Sequence, residues 1–538
     1  MTLLKKPPLQ VALLLAVVLF AVAVLGVGLL RAAFYEPAAV TSTAVPGVPA
    51  PAPTATGKCG TQPVKAAREL RGMWLTTVYN IDFPSKPGLS QARVKSEYLG
   101  WLDLAVAQRH NAIFVHVRPS GDAFWDSKFA PWSNWLTGKL DGTDPGWDPM
   151  AFMVDEAHKR NLEFHAWFNP YRGTQPAPTG AGADLAKLAP DHPLRLHPEW
   201  RLAYPTGKAS RLYFDPGIPE ARKFVEDSML EAVERYDVDG VHFDDFFYPY
   251  PENGQDFPDK ASYARYGGGK TKADWRRENV NTLVREMHER LQEIKPWVKF
   301  GISPFGIWRN QGEGSDSKGL ESYSAIYADT RKWVREGWLD YIVPQLYWTI
   351  GFDKADYAKV LPWWVRTVKD TQVQLYIGMA DYRVGEKGDW SDPAQLDKQM
   401  QLNDKYGVQG QVHFSAKQIR ENRLGSVARY QSRHYASPAL LPRMARLPAA
   451  PPAAPRITGA ERSAGGSLTI RTAPGGRSTS WALYRTQENS ATLVATGRTG
   501  TAVTDPKPPA GTATYCLSAL DRSGNEGPIS APFTTTGS

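Results

Sequence analysis

Two adjacent carboxylates, Asp244 and Asp245, stand at the middle of the segment Asp239-Gly-Val-His-Phe-Asp-Asp-Phe-Phe-Tyr-Pro249. Side chains alternate along a strand, so His242 and Asp244 share one face while Val241 and Phe243 take the other. Asp245 falls where strand gives way to loop. Adjacent carboxylates repel, which raises one pKa unless a cation or donor compensates, and in this way an acid and an anion coexist in one site. Such a pair suits proton donation and charge stabilisation at an anomeric carbon.

Other polar residues follow comparable apolar runs. Arg118 and Asp122 lie in HVRPSGDAFW, and His165, Asn169 and Arg172 in FHAWFNPYR. Gln345 and Tyr347 end LDYIVPQLYW, and Asp381 and Arg383 follow VQLYIGM. With His242, these groups are expected to hydrogen-bond sugar hydroxyls and acetamides, while Trp167, Trp308 and Trp348 offer stacking platforms. His116, His165, His242 and His413 suggest a rival, a Zn²⁺-dependent hydrolase. A barrel metal site would more usually show a paired His-x-His on one strand, and none occurs; the histidines are read as donors and packing groups, with no metal or cofactor.

The elements that position these residues follow from periodicity. Eight β-rich runs begin at Leu70, Asn111, Leu162, Val238, Val298, Leu339, Val373 and Gly410. Helical segments separate them, among them Ser90 to Arg109 with Leu99, Leu102 and Val106 at helical spacing, Pro219 to Tyr236, Asp274 to Lys295 and Asp392 to Tyr406. The alternation predicts an α/β fold, a (β/α)8 TIM barrel, with an open doubly wound sheet as the alternative. Excursions at Tyr171 to Phe214, Tyr248 to Lys272 and Pro304 to Tyr323 follow strand ends and would wall a groove on the carboxyl-end face.

Residues 1–31 contain an uncharged 22-residue run, Leu9 to Leu30, about 33 Å long as a helix and long enough to span a ~30 Å hydrocarbon core. We read it as an N-terminal transmembrane helix anchoring an exported protein in the cell envelope; a cleaved signal peptide, with secretion, is the alternative. Residues 32–62 form a Pro/Ala-rich linker, residues 63–436 the barrel, residues 437–455 a second Pro-rich linker and residues 456–538 an all-β sandwich. That sandwich resembles a fibronectin type III module, with Trp481, Tyr484 and Tyr515 at core places. Cys59 and Cys516, at opposite ends of the folded part, are expected to be unpaired thiols.

Composition narrows the function. A length of 538 residues implies several folded units, and 42% hydrophobic residues suffice for a sizeable core. The excess of 63 Lys and Arg over 55 Asp and Glu is too dilute for nucleic-acid binding. Of 18 tryptophans, only Trp481 lies beyond the second linker, so the aromatic excess belongs to the barrel region.

The segments RGMWLTT, VRPSGDA, HAWFNPYR, LYFDPGIPEAR, DGVHFDDFFYP and PQLYW together resemble the glycosyl-hydrolase-like family 10, over about Glu69 to Arg429. The resemblance implies a (β/α)8 glycosidase acting on peptidoglycan glycan strands stripped of their stem peptides. The aspartate motif is also similar to the fourth-strand signatures of α-amylase-like and chitinase-like barrels. Asp244 matches both, and Phe246 stands where a chitinase keeps its catalytic Glu. Asp244 is therefore expected to attack or stabilise the anomeric carbon, with Asp245 or Asp122 as general acid and Asp381 and Glu313 behind them. A non-catalytic wall-binding protein is the other alternative.

Overall fold

The computed structural model describes residues 58–60, 62–252, 254–473, 477–487, 490–500 and 502–535. The expected membrane helix at Leu9 to Leu30 and most of the first linker lie outside them. Among the described residues, no helix is long and apolar enough to cross a membrane.

All eight expected runs are strands of one parallel sheet: β1 (Leu70–Leu75), β2 (Ala112–Arg118), β3 (Glu163–Phe168), β4 (Gly240–Phe243), β5 (Lys299–Ile302), β6 (Tyr341–Ile342), β7 (Gln374–Leu375, resuming after Tyr376 as Ile377–Met379) and β8 (Gly410–His413). β8 pairs with β1, Gly410 opposite Leu70 and His413 opposite Met73, which closes the barrel. The doubly wound alternative is thereby excluded.

Alternation sorts the strand residues into two cores. Met73, Ile113, Phe164, Val241 and Phe243 face the helices, whereas Trp74, Phe114, Trp167, Tyr341 and Val412 fill the barrel interior. Two glycines make room for the large inner side chains. A Cβ on Gly240 would come within 2.3 Å of the His165 ring, and one on Gly301 within 2.1 Å of Tyr341.

The outer layer includes α1 (Gln91–Ala107), α2 (Pro149–Lys159), α3 (Pro219–Arg235), α4 (Lys272–Ile294), α5 (Thr330–Arg335) and α6 (Tyr357–Val368). Ser90 caps α1, and Pro219, which lacks the N–H a first turn leaves unused, opens α3. The buried stripe of α1 is Val94, Tyr98, Trp101, Leu102 and Ala105. Val106, expected on that stripe, is 47% exposed because it lies one residue past Ala105, around the helix from the core.

The C-terminal region is all-β. Arg456–Arg462, Leu468–Ala473 and Val503–Asp505 form one sheet; Ser480–Gln487, Ser490–Arg498, Ala513–Leu520 and Phe533–Thr535 lie in another. Trp481 and Tyr515 pack with Leu468 and Ile470 in one hydrophobic cluster, and Tyr484 belongs to a second on the other face. Two strands from the start of the described chain, Lys58–Cys59 and Gln62–Lys65, join this sheet, the latter running parallel to Ser490–Arg498. Residues read as the end of a linker are thus strand. Cys59 is brought against Cys516, Cα–Cα 5.7 Å, and the two form a disulfide. The expectation of unpaired thiols rested on chain separation, which places no limit on distance in the fold.

This module sits at the amino ends of the barrel strands. Arg522 donates two hydrogen bonds to Asp237, just before β4, and Arg68 pairs with Glu526 at 2.8 Å. The second linker is also tied down there: Arg446 pairs with Asp340 at 2.6 Å, and the Arg443 carbonyl accepts from Gln374 at 2.6 Å.

Candidate active site

Asp244 and Asp245 follow β4 at the carboxyl ends of the strands, the end of a barrel where loops build sites. Both side chains are buried. Asp244 accepts from the Trp167 indole N–H at 3.2 Å and from the Phe246 backbone N–H at 3.0 Å. Asp245 accepts from the Tyr250 hydroxyl. Burial, followed by the charge of Asp245, pushes Asp244 up to about 8, against the lowering effects of Arg172 and the two donors. Burial also raises Asp245, but Tyr250, Gln345 and Arg172 oppose it. Of the two, Asp244 is therefore the carboxyl that holds its proton more strongly.

Half-buried aromatic rings surround the pair. Phe246, Tyr250, Phe305 and Trp348 follow one another at centroid distances of 5.8, 6.3 and 5.5 Å. Tyr347 contacts Tyr382 at 5.7 Å and Phe414 at 6.3 Å. These rings and the pair form a mouth with a wide apolar rim and a charged floor, suited to a ring-shaped polar ligand. Gln345 sits beside Asp245, its amide donating to the Ser303 carbonyl at 2.8 Å. Of the expected binding residues, the structure brings Arg172, Gln345, Tyr347 and Trp348 to this mouth.

Others are placed elsewhere. Trp167 is no platform: its ring lies inside the barrel, stacked on His116 at 3.9 Å, and its N–H orients Asp244. Trp308 stacks on Trp363 of α6 at 5.6 Å and donates to Asp329, so its faces are used in packing. His242 is wholly buried, accepting from the Trp74 indole at 3.2 Å and meeting the Ser303 hydroxyl at 3.0 Å. His165 lies deeper, at Gly240 in the β3–β4 register, between Tyr341 at 2.9 Å and Glu163 at 3.0 Å. Burial alone would raise Glu163, but Lys299 at 2.6 Å and His165 hold it down at about 2. These two histidines belong to the barrel's polar core because the inner face of each strand runs from mouth to base, and strand alternation does not give depth.

Arg118 is also fully buried and donates to the Asn169 and Pro170 carbonyls at 2.7 and 3.2 Å, latching the loop after β3. Asn169 is buried too, its amide donating to the Pro119 carbonyl at 3.2 Å. Asp122 accepts from the Ser133 hydroxyl and the Ser120 N–H, an internal loop cap with no hydrogen bond to Asp244 or Asp245. Asp381 takes a 2.9 Å hydrogen bond with His413. Glu313, 70% exposed, pairs with Arg331. Among the described residues, no group of three or more His, Cys, Asp and Glu is placed to share a metal ion.

Sequence reasoning missed Tyr250, Phe246, Phe305 and Phe414. Tyr250 had a readable signal, since it continues the motif five residues past Asp245. Phe305 and Phe414 come from separate strand ends, and only closure of the barrel unites them.

A family model for glycosyl hydrolase-like 10 matches residues 69–395. Glycosyl hydrolase YngK of Bacillus subtilis (strain 168) is 44% identical over 478 residues, 85% of this chain and 92% of that protein. Glycosyl hydrolase DigH of Escherichia coli (strain K12) is 41% identical over 358 residues, 63% of this chain and 81% of that protein. Among solved structures, the endo-1,4-beta-mannanase from Rhizomucor miehei aligns over 65% of this chain and 89% of that chain, with a TM-score of 0.41 and 10% identity.

Proposed function

The chain belongs to the glycosyl hydrolase-like 10 family, and on that premise we propose that it hydrolyses glycosidic bonds in a cell-envelope polysaccharide, the substrate being peptide-free peptidoglycan strands. The observation that carries this reading is the adjacent, buried Asp244–Asp245 pair under an aromatic rim. Asp244, protonated at neutral pH, is the general acid to the leaving oxygen; Asp245, held anionic by Tyr250 and Gln345, stabilises positive charge at the anomeric carbon. This exchanges the roles first expected of the two residues, for an electrostatic reason: Asp244 has the weaker set of compensating donors. Trp167 acts on Asp244 as a positioning residue.

We further propose an exported protein anchored through the apolar run Leu9 to Leu30, with the C-terminal all-β module as a spacer or a wall contact. The test is incubation of the protein with intact and peptide-free peptidoglycan, followed by mass analysis of the products. New reducing ends are expected on peptide-free strands, with losses of at least about 100-fold in Asp244→Asn and Asp245→Asn. Unchanged turnover in both variants would refute the assignment.

A further inference from the structure

Hydrogen-bonding capacity at the mouth is unevenly used. On the β5–β6 side, the Gln345 amide donates to the Ser303 carbonyl and the Ser303 hydroxyl meets His242. On the β2–β3 side, several buried polar atoms have no protein partner: both ring nitrogens of His116, Nε of Arg172 and Oδ1 of Asn169. Buried polar groups are normally paired, so a concentration of unpaired ones on one wall of a site marks where a ligand completes the set.

Arg172 is the most telling. It is only 7% exposed, and its guanidinium lies over the Phe246 ring at 3.8 Å. No hydrogen bond or ion pair joins that guanidinium to any described residue. Two carboxylates stand close enough to feel its charge, yet each takes its hydrogen bonds elsewhere: Asp244 from Trp167 and Phe246, Asp245 from Tyr250. Had Arg172 served as counter-ion to the pair, a direct ion pair would be the expected arrangement. Instead its planar fork of donors lies flat on Phe246 with Nε buried and without a protein partner, and such a fork can grip a carboxylate by two parallel hydrogen bonds.

We propose that Arg172 is a specificity-determining residue that receives a free carboxylate carried by the glycan. The idea rests on the glycosidase reading and adds which group of the substrate is recognised. Removing a stem peptide from a sugar-linked acyl group converts an amide into a carboxylate. A receptor for that charge would therefore distinguish peptide-free strands from peptide-bearing ones at the chemical group that differs.

The test uses the full chain and three substrates: peptide-free strands, the same strands with their carboxylates converted to methylamides, and peptide-bearing strands. Methylamide removes the charge while adding little bulk. For the unaltered protein, kcat/KM on carboxylate strands is expected to exceed that on methylamide strands by at least about tenfold, in keeping with a charge-assisted hydrogen-bond pair. In Arg172→Gln the ratio collapses towards one. Arg172→Lys, which keeps the charge without the fork, falls between, and its melting temperature reports that the fold survives. Equal cleavage of carboxylate and methylamide strands by the unaltered protein, or an undiminished ratio in Arg172→Gln, would overturn this inference alone. Failure of the unaltered protein to cleave any strand would instead overturn the glycosidase reading on which it rests.

Discussion

Replacing Asp244 by Asn should disable the protein and make it more stable, by an amount that depends on pH. In the folded state Asp244 ionises near 8, against an ordinary value of 3.8. Between 3.8 and neutrality the unfolded chain has released this proton while the native chain still holds it, so stability falls as pH rises. The contribution is fully present below about pH 4 and is lost progressively towards pH 8. At about 1.4 kcal/mol per pH unit, the loss reaches about 4 kcal/mol at pH 7. An amide never ionises and escapes it. Against this, the amide nitrogen would face one of the two donors, Trp167 Nε1 or the Phe246 N–H, at a cost of about 1 kcal/mol. Asp244→Asn is thus expected to be level with or slightly below the unaltered protein at pH 4 and above it by about 1–3 kcal/mol at pH 7. Denaturant unfolding of both proteins from pH 4 to pH 8 reads the difference directly. A stability gap that stays flat, or that shrinks as pH rises, would refute the account of the pair.

Three further outcomes follow from the same contacts. Tyr250→Phe removes the donor that lowers Asp245; the acid limb of the kcat/KM profile should move to higher pH, and an unmoved limb would detach Asp245 from the rate. Lys299→Met removes the cation of the Glu163 pair and leaves that carboxylate with His165 as its remaining side-chain partner in the barrel core, costing about 3–5 kcal/mol in denaturant unfolding while KM for glycan stays within about twofold; a stability change below about 1 kcal/mol would show that the base network does not matter. Cys59→Ser opens the only disulfide of the described residues and should destabilise the C-terminal module by about 2–5 kcal/mol without loss of turnover, measured by calorimetry beside an activity assay.

Much of the barrel was legible in the sequence because each strand, buried on both faces, is a short apolar run bounded by helix signals; all eight starting points lead to strands of the sheet. Asp244 at the mouth was legible too, from period-two alternation alone. What alternation does not encode is depth. His165, His242 and Trp167 share the inward face with Asp244 but lie beneath it, where a side chain packs and orients. Arg118 and Asp122 were misleading for a different reason: loop residues near a site are polar whether they bind ligand or hold the loop's own backbone. Beyond Tyr347 and Trp348, the aromatic rim escaped notice because its members come from five separate strand ends, those of β4 to β8. The Cys59–Cys516 pairing escaped because two strands at the start of the described chain complete a sheet made from its end.

That last pairing has a topological consequence. Cys59 and Cys516 are 457 positions apart, and the whole barrel lies on the chain between them. While the bridge is oxidised, the catalytic region sits inside a covalent ring. A single proteolytic cut in any loop of the groove therefore leaves one connected molecule, both pieces held through the sandwich, and separation of the halves requires reduction as well as cleavage. Such a ring turns a fatal cut into a nick that a closed, well-packed barrel can tolerate.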